Sequence, residues 1–234
     1  MTAVDRSGRL AIIVPVLNEA AGIEAALAAL QGLRKRGARL IVVDGGSQDD
    51  TPARAGRFVD EMLTAERGRA RQMNAGAARA GDADVLLFLH ADTRLPTDAD
   101  SRVADAQAAG ARWGHFDVRI DGRSPWLRWI ARLMNLRSRL TGICTGDQAI
   151  FVERHLFEQL HGYADMPLME DIEFSRRARA LASPAAISVP VVTSGRRWEQ
   201  RGIWQTIWLM WSLRWRYWRG EDPAALAREY REVR

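Results

Sequence analysis

Val85-Leu86-Leu87-Phe88-Leu89-His90-Ala91-Asp92-Thr93 is the stretch that decides the fold. Its five leading apolar residues are typical of a strand buried on both faces, as in a parallel sheet. The run ends in a His-x-Asp pair, and open α/β sheets bind ligands beyond the carboxyl ends of their strands. His90 and Asp92 can point the same way from an extended backbone and could hold a divalent cation. The alternative is turn chemistry, with Asp92 capping the next turn and His90 packed in the core.

The residues around this strand alternate between strand and helix patterns. In the first hundred residues we predict strands at 10–16, 40–43 and 85–89, and helices at 19–33 (capped by Asn18), 52–61 and, after a loop, within 67–79. Further along we predict strands at 114–120, 148–152 and 187–193, and helices at 126–139, 168–181 and 203–219. Such alternation predicts an α/β fold with a mainly parallel central sheet and right-handed crossovers.

Composition narrows the class of protein without choosing a function. The 234 residues carry a net charge of +5. Almost all the positive charges are arginines, since Lys35 is the only lysine. This charge is compatible with nucleic acid, an anionic membrane or a phosphorylated substrate. Cys144 is the only cysteine, which excludes an intrachain disulfide and a cysteine metal cluster and suits a reducing cytoplasm. The chain shows no signal-peptide pattern and no uninterrupted transmembrane span.

Three further polar motifs each have two interpretations. Asp44, in Asp-Gly-Gly-Ser, is either a turn residue or a carboxylate that accepts hydrogen bonds from the base or ribose of a nucleotide. The arginines of the stretch 67–76 precede a helix, so they form either a phosphate site or a solvated loop. Glu170 and Asp171 either complement a helix dipole or include a general base.

Taken in order, these motifs resemble the family 2 glycosyltransferases. The residues that carry the resemblance are Pro15-Val16-Leu17-Asn18-Glu19, Val43-Asp44-Gly45-Gly46-Ser47 with Asp50-Thr51, the 67–76 loop, His90-Ala91-Asp92 and Glu170-Asp171. The stretches 135–142, 146–151 and 196–202 are similar to a bacterial subgroup, the radical-SAM/selenodomain-associated transferase 2 proteins. The resemblance runs from about Leu10 to the C-terminus.

The resemblance implies a GT-A fold and a hexosyltransferase-like enzyme. It would invert the anomeric carbon of a UDP- or GDP-linked sugar with the help of Mg²⁺ or Mn²⁺. The implied site residues are Asp171 and Glu170 for catalysis; Asp92 and His90 for the metal; Pro15, Asn18, Glu19, Asp44, Arg69, Asn74, Ala91 and Arg197 for the donor; and Gly146, Asp147, Gln148 and Trp198 for the acceptor. Within the catalytic pair, Asp171 is the expected base.

The implied organisation is a GT-A domain over residues 1–202 and a Trp-rich helical extension over residues 203–234. The domain divides into a nucleotide-binding half at about 8–100 and an acceptor half at about 101–202. His90 replaces the first aspartate of the family's Asp-x-Asp motif, which leaves its contact with the metal open. Ser194 stands where processive relatives have glutamine, so a membrane-spanning polysaccharide synthase is not expected.

The tryptophans of the extension also have two interpretations. Trp204, Trp208, Trp211, Trp215 and Trp218 recur at helical spacing. They would pack on the sheet domain or a partner subunit, or lie at a membrane surface through residues 203–219. The second option suits a lipid-linked acceptor and a peripheral membrane enzyme at the inner face of the cytoplasmic membrane.

Two other functions compete with sugar transfer. One is a nucleotidyltransferase for sugar phosphates, although the Gly-rich phosphate loop expected of it is absent from residues 10–19. The other is a non-catalytic adaptor for membranes or nucleic acid, which leaves the three aspartates without a role. We therefore expect a nucleotide-sugar enzyme without a nucleic-acid partner. The sugar, the acceptor and the oligomeric state stay open.

Overall fold

Strands and helices alternate along residues 9–232, which a computed structural model describes apart from the side chains of residues 197, 200, 201, 231 and 232. The strands are β1 (Leu10–Val16), β2 (Arg39–Asp44), β3 (Glu61–Thr64), β4 (Val85–Phe88), β5 (Thr93–Arg94), β6 (Trp113–Asp121), β7 (Ile150–Glu153) and β8 (Ala185–Ser194). The helices are α1 (Ile23–Ala29), α2 (Gln31–Lys35), α3 (Thr51–Ala55), α4 (Arg69–Ala78), α5 (Ala99–Ala108), α6 (Trp126–Thr141), α7 (Arg154–Gln159), α8 (Glu170–Leu181), α9 (Arg196–Arg201), α10 (Ile203–Trp218) and α11 (Pro223–Glu232).

The strands form one sheet in the order β3-β2-β1-β4-β7-β6-β8-β5. β7 runs antiparallel to β4 and β6, β5 runs antiparallel to β8, and the other neighbours are parallel. The predicted mainly parallel sheet is therefore confirmed. Because β1, β2 and β4 point the same way, their carboxyl ends at Val16, Asp44 and Phe88 meet at one edge of the sheet.

Helices cover both faces of this sheet. Every residue of β1 is buried, and successive residues alternate between two hydrophobic clusters, with Ile12 in one and Ile13 in the other. This alternation follows from the two-residue period of a strand. A Cβ atom on Gly76 of α4 would lie 2.5 Å from Cγ2 of Ile13, so the missing side chain lets α4 approach the sheet closely.

Local interactions correct several predicted boundaries. The helix expected over 19–33 begins only at Ile23, because Asn18 has a φ of 55° and its Oδ1 accepts a hydrogen bond from the Gln48 amide. Asn18 therefore joins two loops and does not cap the helix. The helix expected over 52–61 ends at Ala55, and the chain then forms β3 by pairing with β2. β3, β5, α5, α7, α9 and α11 have no counterpart among the predicted elements.

The C-terminal helices are packed against the start of α8. Leu213 of α10 and Leu226 and Tyr230 of α11 form a third cluster with Leu168 and Met169. The five tryptophans of α10 lie on the opposite side, 58–78% exposed, so the interpretation that they pack on the sheet is wrong. Within residues 9–232, no helix is both long enough and apolar enough to cross a bilayer.

Candidate active site

A cleft of about 940 Å³ lies at the edge where β1, β2 and β4 end. The predicted residues that line it are Pro15, Asn18, Glu19, Arg69, His90, Ala91, Asp92, Asp147, Glu170 and Trp198. Its position agrees with the rule that open α/β sheets bind ligands at the carboxyl ends of their strands. The structure thus brings together in one cleft at least one residue predicted for each role: donor binding, metal binding, acceptor binding and catalysis.

The His-x-Asp pair enters this cleft with two different environments. Nδ1 of His90 lies 3.0 Å from Oδ1 of Asp147. A Cβ atom at position 146 would come within 2.3 Å of Nε2 of His90, so Gly146 leaves room for the imidazole. Asp92 is exposed, and its carbonyl accepts a hydrogen bond from the Ser194 amide at 3.2 Å. The imidazole is therefore held in the wall, whereas the Asp92 carboxylate faces solvent.

These residues fit a cation that is shared with a ligand. Among the residues that the structure describes, no group of three or more His, Cys, Asp or Glu side chains could hold a metal ion. Mg²⁺ is usually bound by one or two carboxylates together with substrate phosphates and water. The exposed Asp92 carboxylate beyond the end of β4 supplies such a ligand, and arginines in the lining of the same cleft could bind a diphosphate.

Two adjacent carboxylates begin α8 and occupy different positions. Oδ2 of Asp171 accepts a hydrogen bond from the Gly146 amide, and Oδ1 accepts one from the Ile172 amide, each at 2.8 Å. Asp171 lines a small cavity of about 10 Å³ beside the main cleft. Glu170 lines the cleft itself. Asp171 is thus oriented by backbone donors, as an acidic residue at a helix N-terminus commonly is.

Glu170 is buried, and its environment alters its protonation. Burial raises the pKa of the Glu170 carboxyl, and the neighbouring Asp171 carboxylate raises it further. Arg69 and His90 lower the pKa of Glu170 in part. Nη1 of Arg69 lies 3.9 Å from Oε1 of Glu170. A carboxyl with a raised pKa in a cleft is a candidate for proton transfer.

The arginines of the 67–76 stretch differ in their ion pairs with carboxylates. Arg67, Arg69 and Arg71 all line the cleft. The guanidinium of Arg71 is paired with Asp165, with Nε to Oδ1 at 2.8 Å and Nη2 to Oδ2 at 2.9 Å. Arg67 and Arg69 are therefore the better candidates for a phosphate group.

Asp44 and Asn74 lie outside the lining of this cleft and bind backbone groups of the protein. The Asp44 carboxylate accepts hydrogen bonds from the Gly46 and Ser47 amides at 3.0 Å, which is the turn role. The Asn74 side chain binds the backbone of Tyr163, with Nδ2 to the carbonyl at 2.8 Å and the amide to Oδ1 at 2.9 Å. These two residues shape the loops around the cleft.

Gln148 is also directed into the protein. Its Nε2 lies 3.0 Å from Oγ of Ser138 and 3.2 Å from Nδ1 of His115, and the residue is fully buried. Asp147 is the member of the predicted acceptor stretch 146–148 that lines the main cleft. The Arg197 side chain lies outside the described residues.

Sequence reasoning missed two residues that shape the cleft. Nε2 of Gln72 donates to the carbonyls of Val16 and Val43, each at 2.8 Å, and so joins the ends of β1 and β2. Tyr230 of α11 forms part of the wall. No local pattern points to either residue, because each acts on segments that are distant in sequence.

Comparisons with known proteins define the class first by fold. The mannosyltransferase PcManGT from Pyrobaculum calidifontis, solved with GDP-Man and Mn²⁺, aligns with a TM-score of 0.60 at 25% identity, over 80% of this chain and 56% of that one. S. aureus TarS in complex with UDP aligns with a TM-score of 0.65 at 16% identity, over 80% of this chain and 60% of that one. The fold is the GT-A fold, as expected, with a C-terminal helical region.

The sequence comparisons then give the family. Residues 11–157 match the profile described as "Glycosyl transferase family 2". The succinoglycan biosynthesis protein ExoA of Rhizobium meliloti (strain 1021) is 35% identical over 109 residues, which is 43% of this chain and 33% of ExoA. The chain belongs to glycosyl transferase family 2. It spans about a third of ExoA and less than two thirds of the two structures above.

Proposed function

We propose that this protein transfers a sugar from a nucleotide-diphospho-sugar to an acceptor, with inversion at the anomeric carbon. The observation that carries the proposal is the convergence of Asp92, Arg69 and the Glu170–Asp171 pair at the carboxyl edge of a GT-A sheet. Membership of glycosyl transferase family 2 supports sugar transfer over nucleotidyl transfer or a purely adaptor role. The assignment to the radical-SAM/selenodomain-associated transferase 2 subgroup belongs to this proposal.

On the donor side, the strand-end residues would hold the nucleoside diphosphate. Arg67 and Arg69 would contact its phosphates, and Asp92 would hold Mg²⁺ or Mn²⁺. When bound, the cation would stabilise the negative charge that develops on the leaving diphosphate. A GDP-sugar with Mn²⁺ in PcManGT and UDP in TarS are the precedents for this donor class.

On the acceptor side, a carboxylate would take the proton of the attacking oxygen. A bond forms between that oxygen and the anomeric carbon, and the bond from this carbon to the diphosphate oxygen breaks with its electron pair. Asp171 is the proposed base. Glu170 is the second candidate, because it lines the main cleft and burial raises its pKa.

The remaining assignments complete the proposed enzyme. Residues 1–202 form the catalytic domain, and residues 203–234 form the helical extension. The acceptor carries a hydroxyl or a phosphate and is lipid-linked, which places the enzyme in the cytoplasm at the inner face of the membrane. The exposed tryptophans of α10 support a membrane location.

Donor binding and donor hydrolysis test the proposal without a known acceptor. The protein is titrated by calorimetry with UDP and GDP with and without Mn²⁺, and a panel of UDP-, GDP- and dTDP-sugars is assayed for hydrolysis. We expect tighter binding with Mn²⁺, and at least about tenfold weaker Mn²⁺-dependent binding for Asp92→Asn because a carboxylate ligand is lost. Absence of nucleotide binding and hydrolysis across the panel would refute the proposed function.

The base is identified by comparing Asp171→Asn with Glu170→Gln. Removal of a general base lowers turnover roughly 10²–10⁴-fold. We expect that loss for Asp171→Asn, with donor affinity within about twofold of wild type because the substituted side chain lies beside the main cleft. The opposite result, with Glu170→Gln inactive and Asp171→Asn active, would assign the base to Glu170.

A further inference from the structure

Two helices expose an unusually apolar surface, which we call the α6–α10 surface. Its members are large apolar side chains that are 51–78% exposed: Trp126, Trp129, Leu133, Leu136 and Leu140 of α6, and Trp204, Trp208, Trp211, Trp215 and Trp218 of α10. In each helix the spacing is three or four residues, so the side chains share one face. Exposed apolar patches of this kind mark interaction sites.

The two rows belong to one surface. The rings of Trp126 and Trp204 are in contact, with centroids 5.4 Å apart. The opposite faces of both helices are packed into the protein, through Leu127 and Ile130 in α6 and Leu213 in α10. The apolar row on α6 has no role in the cleft.

The charge on these helices has a single sign. Neither helix contains an acidic residue, whereas α6 contains Arg128, Arg132, Arg137 and Arg139, and α10 contains Arg214 and Arg216. Arg139 is paired with Asp117, and Arg216 with Glu221 and Glu229. Arg128 and Arg132 are exposed, so their charges are available to an anionic surface. The Arg132 guanidinium lies 5.2 Å from the Trp129 ring centroid, and that of Arg219, just after α10, lies 5.9 Å from the Trp215 ring. Indoles flanked by arginines are typical of helices that lie in the headgroup region of a membrane.

Arg137 of α6 is largely buried, and the charge of Arg214 of α10 acts on it. Nε and Nη2 of Arg137 are buried and find no hydrogen-bond acceptor among the described residues. Burial, and then the charge of Arg214, lowers the pKa of Arg137 to about 10, and burial also lowers the pKa of Arg214. An anionic group between the helices would compensate both guanidinium groups.

We propose that the α6–α10 surface docks on the surface of an anionic lipid bilayer. Anionic phosphates complement the arginines, and the headgroup region accommodates the indoles. A second copy of the chain would bring two such helix pairs together and place arginine opposite arginine, which is unfavourable. The charge pattern therefore favours the lipid surface over a dimer.

This location connects the membrane with the proposed chemistry. Met134 of α6 lines the cleft, so this helix contributes to both the α6–α10 surface and the cleft wall. A lipid-linked acceptor held at the α6–α10 surface would thus have its headgroup beside the cleft. Only this link rests on the proposed sugar transfer. Docking itself is measured without sugar transfer, so the docking and the sugar transfer can each fail alone.

Vesicle flotation tests the docking. The full chain is mixed with vesicles of phosphatidylcholine alone or with phosphatidylglycerol added. We expect flotation with the anionic vesicles, at least about tenfold weaker partition on phosphatidylcholine alone, and weaker binding at high salt. Trp129→Gln with Leu136→Gln, and separately Trp208→Gln with Trp211→Gln, should each reduce anionic partition at least about tenfold.

Two further variants keep the test decisive. Leu181 is an exposed apolar side chain on α8, outside the surface, and Leu181→Gln should float like wild type. Arg128→Glu with Arg132→Glu leaves the apolar rows intact and should reduce anionic partition about tenfold or more. The proposal is overturned if wild type does not float with anionic vesicles. It is also overturned if sedimentation shows a dimer that the tryptophan variants dissociate.

Discussion

Glu170 occupies a position that matters both for the fold and for the proposed chemistry. Its position at the start of α8 suits the helix dipole, but its carboxyl is buried beside the Asp171 carboxylate. Both burial and the neighbouring charge disfavour the ionised form. The Glu170 carboxyl is therefore a destabilising group that the fold retains in the wall of the cleft.

This environment predicts a pH-dependent effect of Glu170→Gln on stability. Because the pKa of Glu170 is raised in the folded state, wild type loses stability as pH rises from the ordinary glutamate pKa through the folded value. Glutamine removes that loss. In urea unfolding, the stability of the variant relative to wild type should therefore increase between about pH 4 and neutral pH.

Asp100 provides a control of opposite sign. The hydrogen bond from Arg36 lowers the pKa of Asp100. Asp100→Asn should therefore lose stability relative to wild type at neutral pH, and the difference should disappear as pH falls from the ordinary aspartate pKa through the lowered folded value. A pH-independent difference for Glu170→Gln would contradict the burial argument.

At the scale of elements, α4 connects sheet packing with the site. Gly76 lets the helix lie close to β1 and β2, while Arg69 at its first turn and Gln72 reach the cleft. The sequence pattern alone places this helix but gives no reason for the glycine within it. The tertiary contact supplies that reason, since a glycine in a helix interior is otherwise unfavourable.

Alanine at two glycines separates packing from helix propensity. Gly76→Ala would place its Cβ 2.5 Å from Cγ2 of Ile13, so overpacking of about 1–3 kcal/mol should outweigh a propensity gain of about 1 kcal/mol. The free energy of unfolding in urea should fall. Gly32→Ala in α2 meets nothing closer than 3.7 Å and should be neutral or stabilising. Equal effects at the two sites would exclude the close approach.

At the scale of the whole molecule, the C-terminal helices contribute to the catalytic unit. Leu213 and Tyr230 share a core cluster with Leu168 and Met169, the residues that lead into Glu170. Tyr230 also lines the cleft. We predict a boundary at residue 202 from the sequence because a Trp-rich helix begins at Ile203. The packing indicates that the helices beyond it hold the start of α8 in place.

This packing predicts that only the side chains on the buried face of α10 contribute to the stability of the protein. Leu213→Ala should lower the free energy of unfolding by about 2–5 kcal/mol, because Leu213 is fully buried. Trp208→Ala removes a larger side chain on the exposed face of the same helix and should stay within about 0.5 kcal/mol of wild type. If chemical denaturation showed that Leu213→Ala also stays within about 0.5 kcal/mol of wild type, the extension would be an independent appendage.

The sequence by itself determined the alternating elements, the parallel strands and the position of the site at their carboxyl ends. Runs such as 10–16 and 85–89 are apolar throughout, and only a doubly covered sheet buries both faces of such strands.

Only the tertiary structure decided which polar residues face the cleft. Asp44 and Gln148 turn to local donors or buried partners, whereas Tyr230 reaches the cleft from the last helix. Tertiary packing also left the tryptophans of α10 exposed, because Leu213 on the other face fills the core. Local spacing gives the face of a helix on which a residue lies, but the rest of the chain decides whether that face is covered.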